Sequence, residues 1–287
     1  MSTQLAIIDT ITSAVATQVH GYIQQGSLNL PANYSVDNAL KAAMLMLPDI
    51  KDRNNVPVLQ SCTQESIKGA ILSMAVQGLN PDKKQCYFIA YGERLTMQRS
   101  YFGDIAVVKQ VDPNIEDVFP AAVFEKDEFS YVMKHAVIIE ITHTQKLENK
   151  DGPIKAAYAT IIYKDGHEIS TVMTIEQIKK AWMQSPIKPV NADGSLKADS
   201  THGKFPEAMA LRTIVRRACK TIIDSSDDSN LLVQYAKQSY SDSDEAEVEA
   251  EVRQNANSIP FDDEAIEVDP ATGSVVGGGP VKASDPF

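Results

Sequence analysis

Cysteine is scarce: Cys62, Cys86 and Cys219 are odd in number, far apart and outside any CxxC or Cys/His ligand spacing. They fit buried thiols in a reducing cytoplasm and give no support to a structural zinc. Long hydrophobic runs are missing too. The N-terminal stretch MSTQLAIIDTITSAVATQVHGY has no basic n-region and no uninterrupted apolar core, so it reads as neither a signal peptide nor a membrane span. No GxxxxGK[ST] is present, because Gly203-Lys204 is followed by Phe205 and lacks a glycine five residues earlier, which argues against a P-loop ATPase. HExxH, GxSxG and the EF-hand loop are also absent. A metal-dependent nuclease would need clustered carboxylates. The nearest candidates, Asp127-Glu128 and Glu148 in the polar run QKLENKDG, read better as loop charge, and His135 and His143 read as structural histidines on strands. No catalytic residue is assigned.

Basic charge is in overall deficit, with a formal net charge of −11. The deficit is local. Residues 224–287 hold 15 acidic residues against three basic ones, a net of −12, which leaves 1–223 at +1. A nearly neutral body therefore carries an acidic tail, and a basic patch on that body still creates a local positive potential.

The most informative segment is GKFPEAMALRTIVRRACKTII, residues 203–223. At helical spacing Ala208, Leu211, Val215, Ala218 and Ile222 form an apolar stripe. Arg212, Arg216 and Lys220 recur every fourth residue along its flank, with Arg217 nearby. No acid falls between Glu207 and Asp224, so these cations are expected to lack i,i+4 partners. A helix docked by one face and offering guanidiniums on its flank suits a phosphate backbone, although the same pattern also fits a solvated basic face.

The rest of the body reads as α+β. Helices are predicted over the first 25 residues, ending at Gly26, over Val36–Leu47, and from the N-cap Thr63 to Gly78 at C′. A hairpin of Cys86–Tyr91 and Arg94–Gln98 precedes a helix over Phe102–Val111. Strands near Asp117–Phe124, Glu128–Lys134, Val137–Thr144, Ala156–Tyr163 and Glu168–Met173 read as an antiparallel meander without βαβ alternation. A capping box, Thr174 to Gln177, opens a helix through Trp182. A polar loop, Ser185–Gly203, leads to Pro206 at the first position of the long basic helix, and a last helix is expected over Leu231–Tyr240. Residues 1–240 are thus expected to form one core, and 241–287 a disordered acidic tail.

Aromatics and cations interleave twice more. Tyr87, Arg94, Gln98, Arg99, Tyr101 and Lys109 lie in or after the hairpin, and Lys180, Trp182 and Lys188 lie around the helix at 175–182. This mixture fits single-stranded nucleic acid better than duplex groove reading. Core packing is the competing role for Trp182, and in part for Tyr87 and Tyr101.

The block GLNPDKKQCYFIAYGERLTMQRSYFGDIAVVKQV (78–111), the stretch Trp182–Ser185 and the block PEAMALRTIVRRACK (206–220) resemble, in order and spacing, the RecT-type single-strand annealing proteins. That recombinase superfamily includes the β protein of phage λ, and the resemblance covers roughly 35–225. Ser100-Tyr101-Phe102-Gly103 stands where relatives commonly show Gly-Tyr-x-Gly, and Arg212 where a lysine often precedes the threonine. The resemblance implies a non-enzymatic, ATP-independent protein of a bacterial host's cytoplasm. Such proteins bind single-stranded DNA, assemble into rings or helical filaments and pair complementary strands. It implies no cofactor, with Mg²⁺ modulating DNA binding or assembly, and a phage exonuclease and a host single-strand binding protein as partners. The groove would be lined by Lys109, Arg212, Arg216, Arg217 and Lys220, with Arg94, Arg99, Tyr87, Gln98, Tyr101, Lys180, Trp182 and Lys188 around it. The tail's Ser-Asp-Pro-Phe end resembles the acidic tip of bacterial single-strand binding proteins. The alternatives are a metal-dependent nuclease and a self-assembling phage protein that ignores DNA.

Overall fold

Local capping chemistry sets most helix boundaries in the computed structural model, which describes residues 2–184 and 188–241, with side chains from residue 6 onward. Helix α1 (Ser2–Gln24) ends before Gly26, whose φ of +70° reverses the chain. The Ser35 hydroxyl caps α2 (Val36–Met46), and Pro48 turns the next residues into a 3₁₀ turn. A short turn, α3 (Val58–Ser61), precedes α4 (Gln64–Val76), capped by Thr63 as expected and ended at Gly78 with φ +63°. Strands β1 (Cys86–Tyr91) and β2 (Arg94–Arg99) pair in the expected hairpin. Helix α5 (Tyr101–Val111) is capped by Ser100, whose hydroxyl accepts from the Gly103 amide at 3.2 Å. Gly103 is required there: a Cβ would lie 2.1 Å from the Gln85 carbonyl oxygen.

The larger sheet holds β3 (Ile115–Phe124), β4 (Glu128–Lys134), β5 (Val137–Thr144), β6 (Ile154–Tyr163) and β7 (Glu168–Thr174), all antiparallel. Its order is β3-β6-β7-β5-β4, which corrects the expected meander. The hairpins β4–β5 and β6–β7 are local, but β3 pairs with β6, and β5 reaches β7 through the single pair Ile138↔Ser170. Burial explains the order. The alanine-rich, largely apolar β6 takes an inner place, while β4, with Glu128, Ser130 and Lys134, is exposed along nearly its whole length and takes the edge. His135, expected on a strand, instead forms the β4–β5 turn with Ala136, both at positive φ.

The chain continues through α6 (Ile175–Trp182), with the expected Thr174–Gln177 capping box, and α7 (Thr201–Lys204), a helical turn inside the segment read as loop. Then come α8 (Pro206–Ser225), with Pro206 at its first position, and α9 (231–241). The acidic tail expected over 241–287 lies, beyond Ser241, outside the described residues, as do residues 185–187 of the loop. Two apolar clusters form the core. One joins α1, α2, α4, the β1–β2 hairpin and α9, and the other joins the larger sheet to α6 and α8. Helices α5 and α8 pack on each other and contribute to both.

Asp127, weighed above as a nuclease carboxylate, is a buried knot of the sheet. It accepts from the Phe124 amide at 2.8 Å, Gln145 Nε2 at 3.0 Å and Asn149 Nδ2 at 2.8 Å, and His143 Nε2 faces it at 3.1 Å. Burial alone would raise its pKa, but these hydrogen bonds, Gln145 first, hold it well below the ordinary carboxylate range. A depressed folded-state pKa means that the stabilisation is present above the unfolded value of about 4 and is lost as pH falls further. Urea unfolding between pH 7 and pH 3 is therefore expected to show a smaller acid-induced loss in Asp127→Asn than in the natural chain. Parallel losses in the two proteins would contradict this role.

Candidate nucleic-acid interface

Helix α8 presents its cations differently from the sequence reading. The buried positions are Ala210, Ile214, Val215, Ala218, Cys219 and Ile223; Ala208 is exposed, and Leu211 and Ile222 are only partly buried. The apolar stripe is thus rotated and widened, because α8 packs against α5, α6 and the larger sheet together. The cations still fall on its border. Arg212 and Arg216 are half-buried, while Arg217 and Lys220 are exposed. The expectation that none has an i,i+4 partner is corrected: Lys220 Nζ lies 2.9 Å from Asp224 Oδ2, one turn further on. Both groups are nearly half exposed, so the pair is a weak surface bridge.

Arg212 and Arg216 line one small recess with Gln98, Arg99, Asp104, Ser239 and Tyr240. Its floor is polar and closed. Arg99 is 7 % exposed and its Nε donates to Asp104 Oδ1 at 2.7 Å. Its Nη1 donates to Gln77 Oε1, the Ala236 carbonyl and Ser239 Oγ. Burial, the largest influence, opposes the charged guanidinium, but Asp104 and Tyr240 together outweigh it and push the Arg99 pKa up. Arg99 is therefore a structural cation, which removes it from the groove-lining set. Gln98 is buried as well and donates to Tyr91 Oη at 2.8 Å.

Trp182 is corrected in the same sense. It is 4 % exposed, its Nε1 donates to Thr213 Oγ1 at 2.8 Å, and its ring meets His202 edge-on at 4.8 Å. Packing and a satisfied N–H account for it without a base. Its fluorescence is expected to stay unquenched when the protein is saturated with single-stranded DNA. Strong quenching on titration would place a base against the indole and contradict this.

Two of the exposed aromatics lie on and next to the hairpin. Tyr87 is 48 % exposed and sits opposite Gln98 in the β1–β2 ladder, which puts both side chains on one face of the hairpin. Tyr101 is half-buried, and its ring centroid lies 3.9 Å from that of Phe102, itself 49 % exposed. Burial and then Tyr87 raise the Tyr101 pKa. The sequence reading missed Phe102, although an aromatic beside a tightly packed helical glycine was a visible signal. It also missed Asp104 and Tyr240, whose meaning depends on long-range contacts.

The remaining candidates are dispersed. Lys109, on α5, faces Asp117 at 3.5 Å. Arg94 lines a second recess with Ser66, Thr96, Tyr235 and Gln238. Lys180 is exposed on α6, and Lys188 is exposed with φ +40°. Among the described residues no three His, Cys, Asp or Glu side chains gather as a metal-ligand set, and no helix is long and apolar enough to cross a membrane.

The fold and its surface describe a class: an antiparallel α+β protein with a cation-bordered helix and, elsewhere, exposed aromatic rings. The chain belongs to the RecT family, whose model matches residues 37–257. The match starts near the expected position 35 and runs past 225 to include the whole of α9. A comparison with curated proteins finds no match.

Proposed function

We propose that this protein is an ATP-independent single-stranded DNA-binding and annealing protein acting in phage-type homologous recombination, not an enzyme. Family membership over 37–257 supports the class, and the observation that carries the reading is Arg212 and Arg216 lining one recess on the border of α8. Guanidiniums there engage phosphates, with Arg217 and Lys220 extending the track. Tyr87 and Phe102 supply faces on which unpaired bases stack. Neutralising two backbones lowers the repulsion between complementary strands, while open base edges remain available for pairing.

Each subunit makes few contacts, so affinity comes from many subunits along one strand, assembled as a ring or helical filament. The partners are single-stranded DNA, the annealed duplex, further copies of the chain, a phage exonuclease and a host single-strand binding protein. Mg²⁺ modulates binding or assembly, and the site of action is the cytoplasm of the bacterial host. The test is anisotropy of a labelled oligonucleotide across a salt series, with the label's integrity followed in Mg²⁺. Salt-sensitive binding with intact DNA is expected. Loss of the label in Mg²⁺ would support a nuclease instead, and no binding at low salt would leave α8 as a solvated basic face.

A further inference from the structure

Helix α9 delivers an acidic run to the cationic border of α8. Its last turn carries Ser239 and Tyr240, which line the recess together with Arg212 and Arg216. The Tyr240 ring centroid lies 4.9 Å from the Arg216 guanidinium and 5.1 Å from the Lys220 ammonium. The described body ends one residue later, at Ser241. In the sequence the next ten residues, 242–251, hold Asp242, Asp244, Glu245, Glu247, Glu249 and Glu251 and no Lys or Arg. A residue of extended chain spans about 3.6 Å, so Asp242 and Asp244 fall within roughly 4 and 11 Å of Ser241.

Positive charge prevails where this run begins. Arg212, Arg216, Arg217 and Lys220 stand along α8, with Arg99 beneath them; Asp104 answers Arg99, and Asp224 answers Lys220 as a weak, half-exposed pair. A run of carboxylates responds to the summed potential of such a border, whatever contacts its single cations make within the body. Carboxylates and phosphates also share the geometry that a guanidinium fork recognises. We infer that residues 242–251 act as an intramolecular phosphate mimic, docking on the Arg212–Arg216 border of α8 and competing there with single-stranded DNA. This rests on the reading of α8 as the DNA-contacting helix. Tethering by a few residues holds the carboxylates at an effective concentration of about millimolar, so the segment lowers each subunit's hold on a strand without abolishing it.

Binding of a labelled oligothymidine to full-length chains is measured by anisotropy. One variant replaces the six acids of 242–251 by Asn and Gln, and a control of equal charge replaces the six acids of 262–285 in the same way. A segment that occupies the border nine times in ten leaves about a tenth of the protein competent, so neutralising 242–251 is expected to tighten binding about tenfold at low salt. The gain is expected to fade as salt rises, and the control to stay within about twofold. Equal gains in the two variants would reduce the effect to general repulsion and overturn the docking, as would no gain at all. A second readout needs no DNA: cutting by a Glu-specific protease at Glu245–Glu251, relative to Glu264 and Glu267. It is expected to be slower in the natural chain than in Arg212→Ala/Arg216→Ala, and oligothymidine is expected to speed it. Unchanged cutting in that variant, with DNA binding weakened, overturns the docking and leaves the reading of α8 standing. Faster cutting with DNA affinity unchanged means that the segment docks but DNA binds elsewhere, and the competition falls with the reading of α8.

Discussion

Alanine at both Arg212 and Arg216 is expected to weaken single-stranded DNA binding by about a hundredfold at low salt, alike for every sequence tested. Both guanidiniums line one recess, and a charge-assisted hydrogen bond contributes about 1.5–3 kcal/mol, so losing two of them is a large change. The salt dependence provides the sharper signature. Each phosphate contact on a single strand contributes a slope of about −0.7 in log K against log salt, so the double variant is expected to be shallower by about 1.4. Folding is expected to survive, because both side chains are only half-buried; urea unfolding should move by no more than about 1 kcal/mol. An unchanged slope with weakened binding would mean that the arginines shape the surface without touching phosphates.

Asp104→Ala is expected to have the largest effect on stability. It leaves the Arg99 guanidinium, only 7 % exposed, without its counter-charge, and removes the acceptor of the Tyr240 hydroxyl. Removing one partner of a buried pair costs about 3–5 kcal/mol, because the surviving charge stays desolvated. Asp104→Asn keeps an acceptor but not the charge and is expected to fall between the alanine variant and the natural chain. The measurement is urea unfolding at neutral pH. A loss below about 1 kcal/mol for Asp104→Ala would show that water reaches Arg99, contradicting its role as the closed floor of the recess.

Features with short-range causes were legible in the sequence. The caps at Thr63 and Thr174, the positive-φ Gly78 and the β1–β2 hairpin each depend on neighbours within a few residues. The strand positions were readable for the same reason, but their order was not, because β3 pairs with β6 across the whole β4–β5 hairpin. The phase of α8 misled because a helix packed on several sides buries Ala210, Ile214, Cys219 and Ile223 as well as Val215 and Ala218, the two members of the expected stripe that are buried. Arg99 read in the sequence like the other cations around the hairpin: its carboxylate is five residues away, but Ser239 and Tyr240 come from the other end of the body. Trp182 was ambiguous until Thr213 supplied an acceptor for its N–H. The spacing of Arg212 and Arg216 was enough to place them on the border of α8, whereas the recess they line with Ser239 and Tyr240 required α9.

The most direct measurement of the central claim is the rate at which two complementary labelled oligonucleotides pair, without any nucleotide, over a range of salt concentrations and with or without Mg²⁺. The account predicts that the protein accelerates pairing, that the acceleration fades as salt rises, and that Arg212→Ala/Arg216→Ala loses most of it. Pairing no faster than in buffer at low salt, with the DNA left unbound, would contradict it.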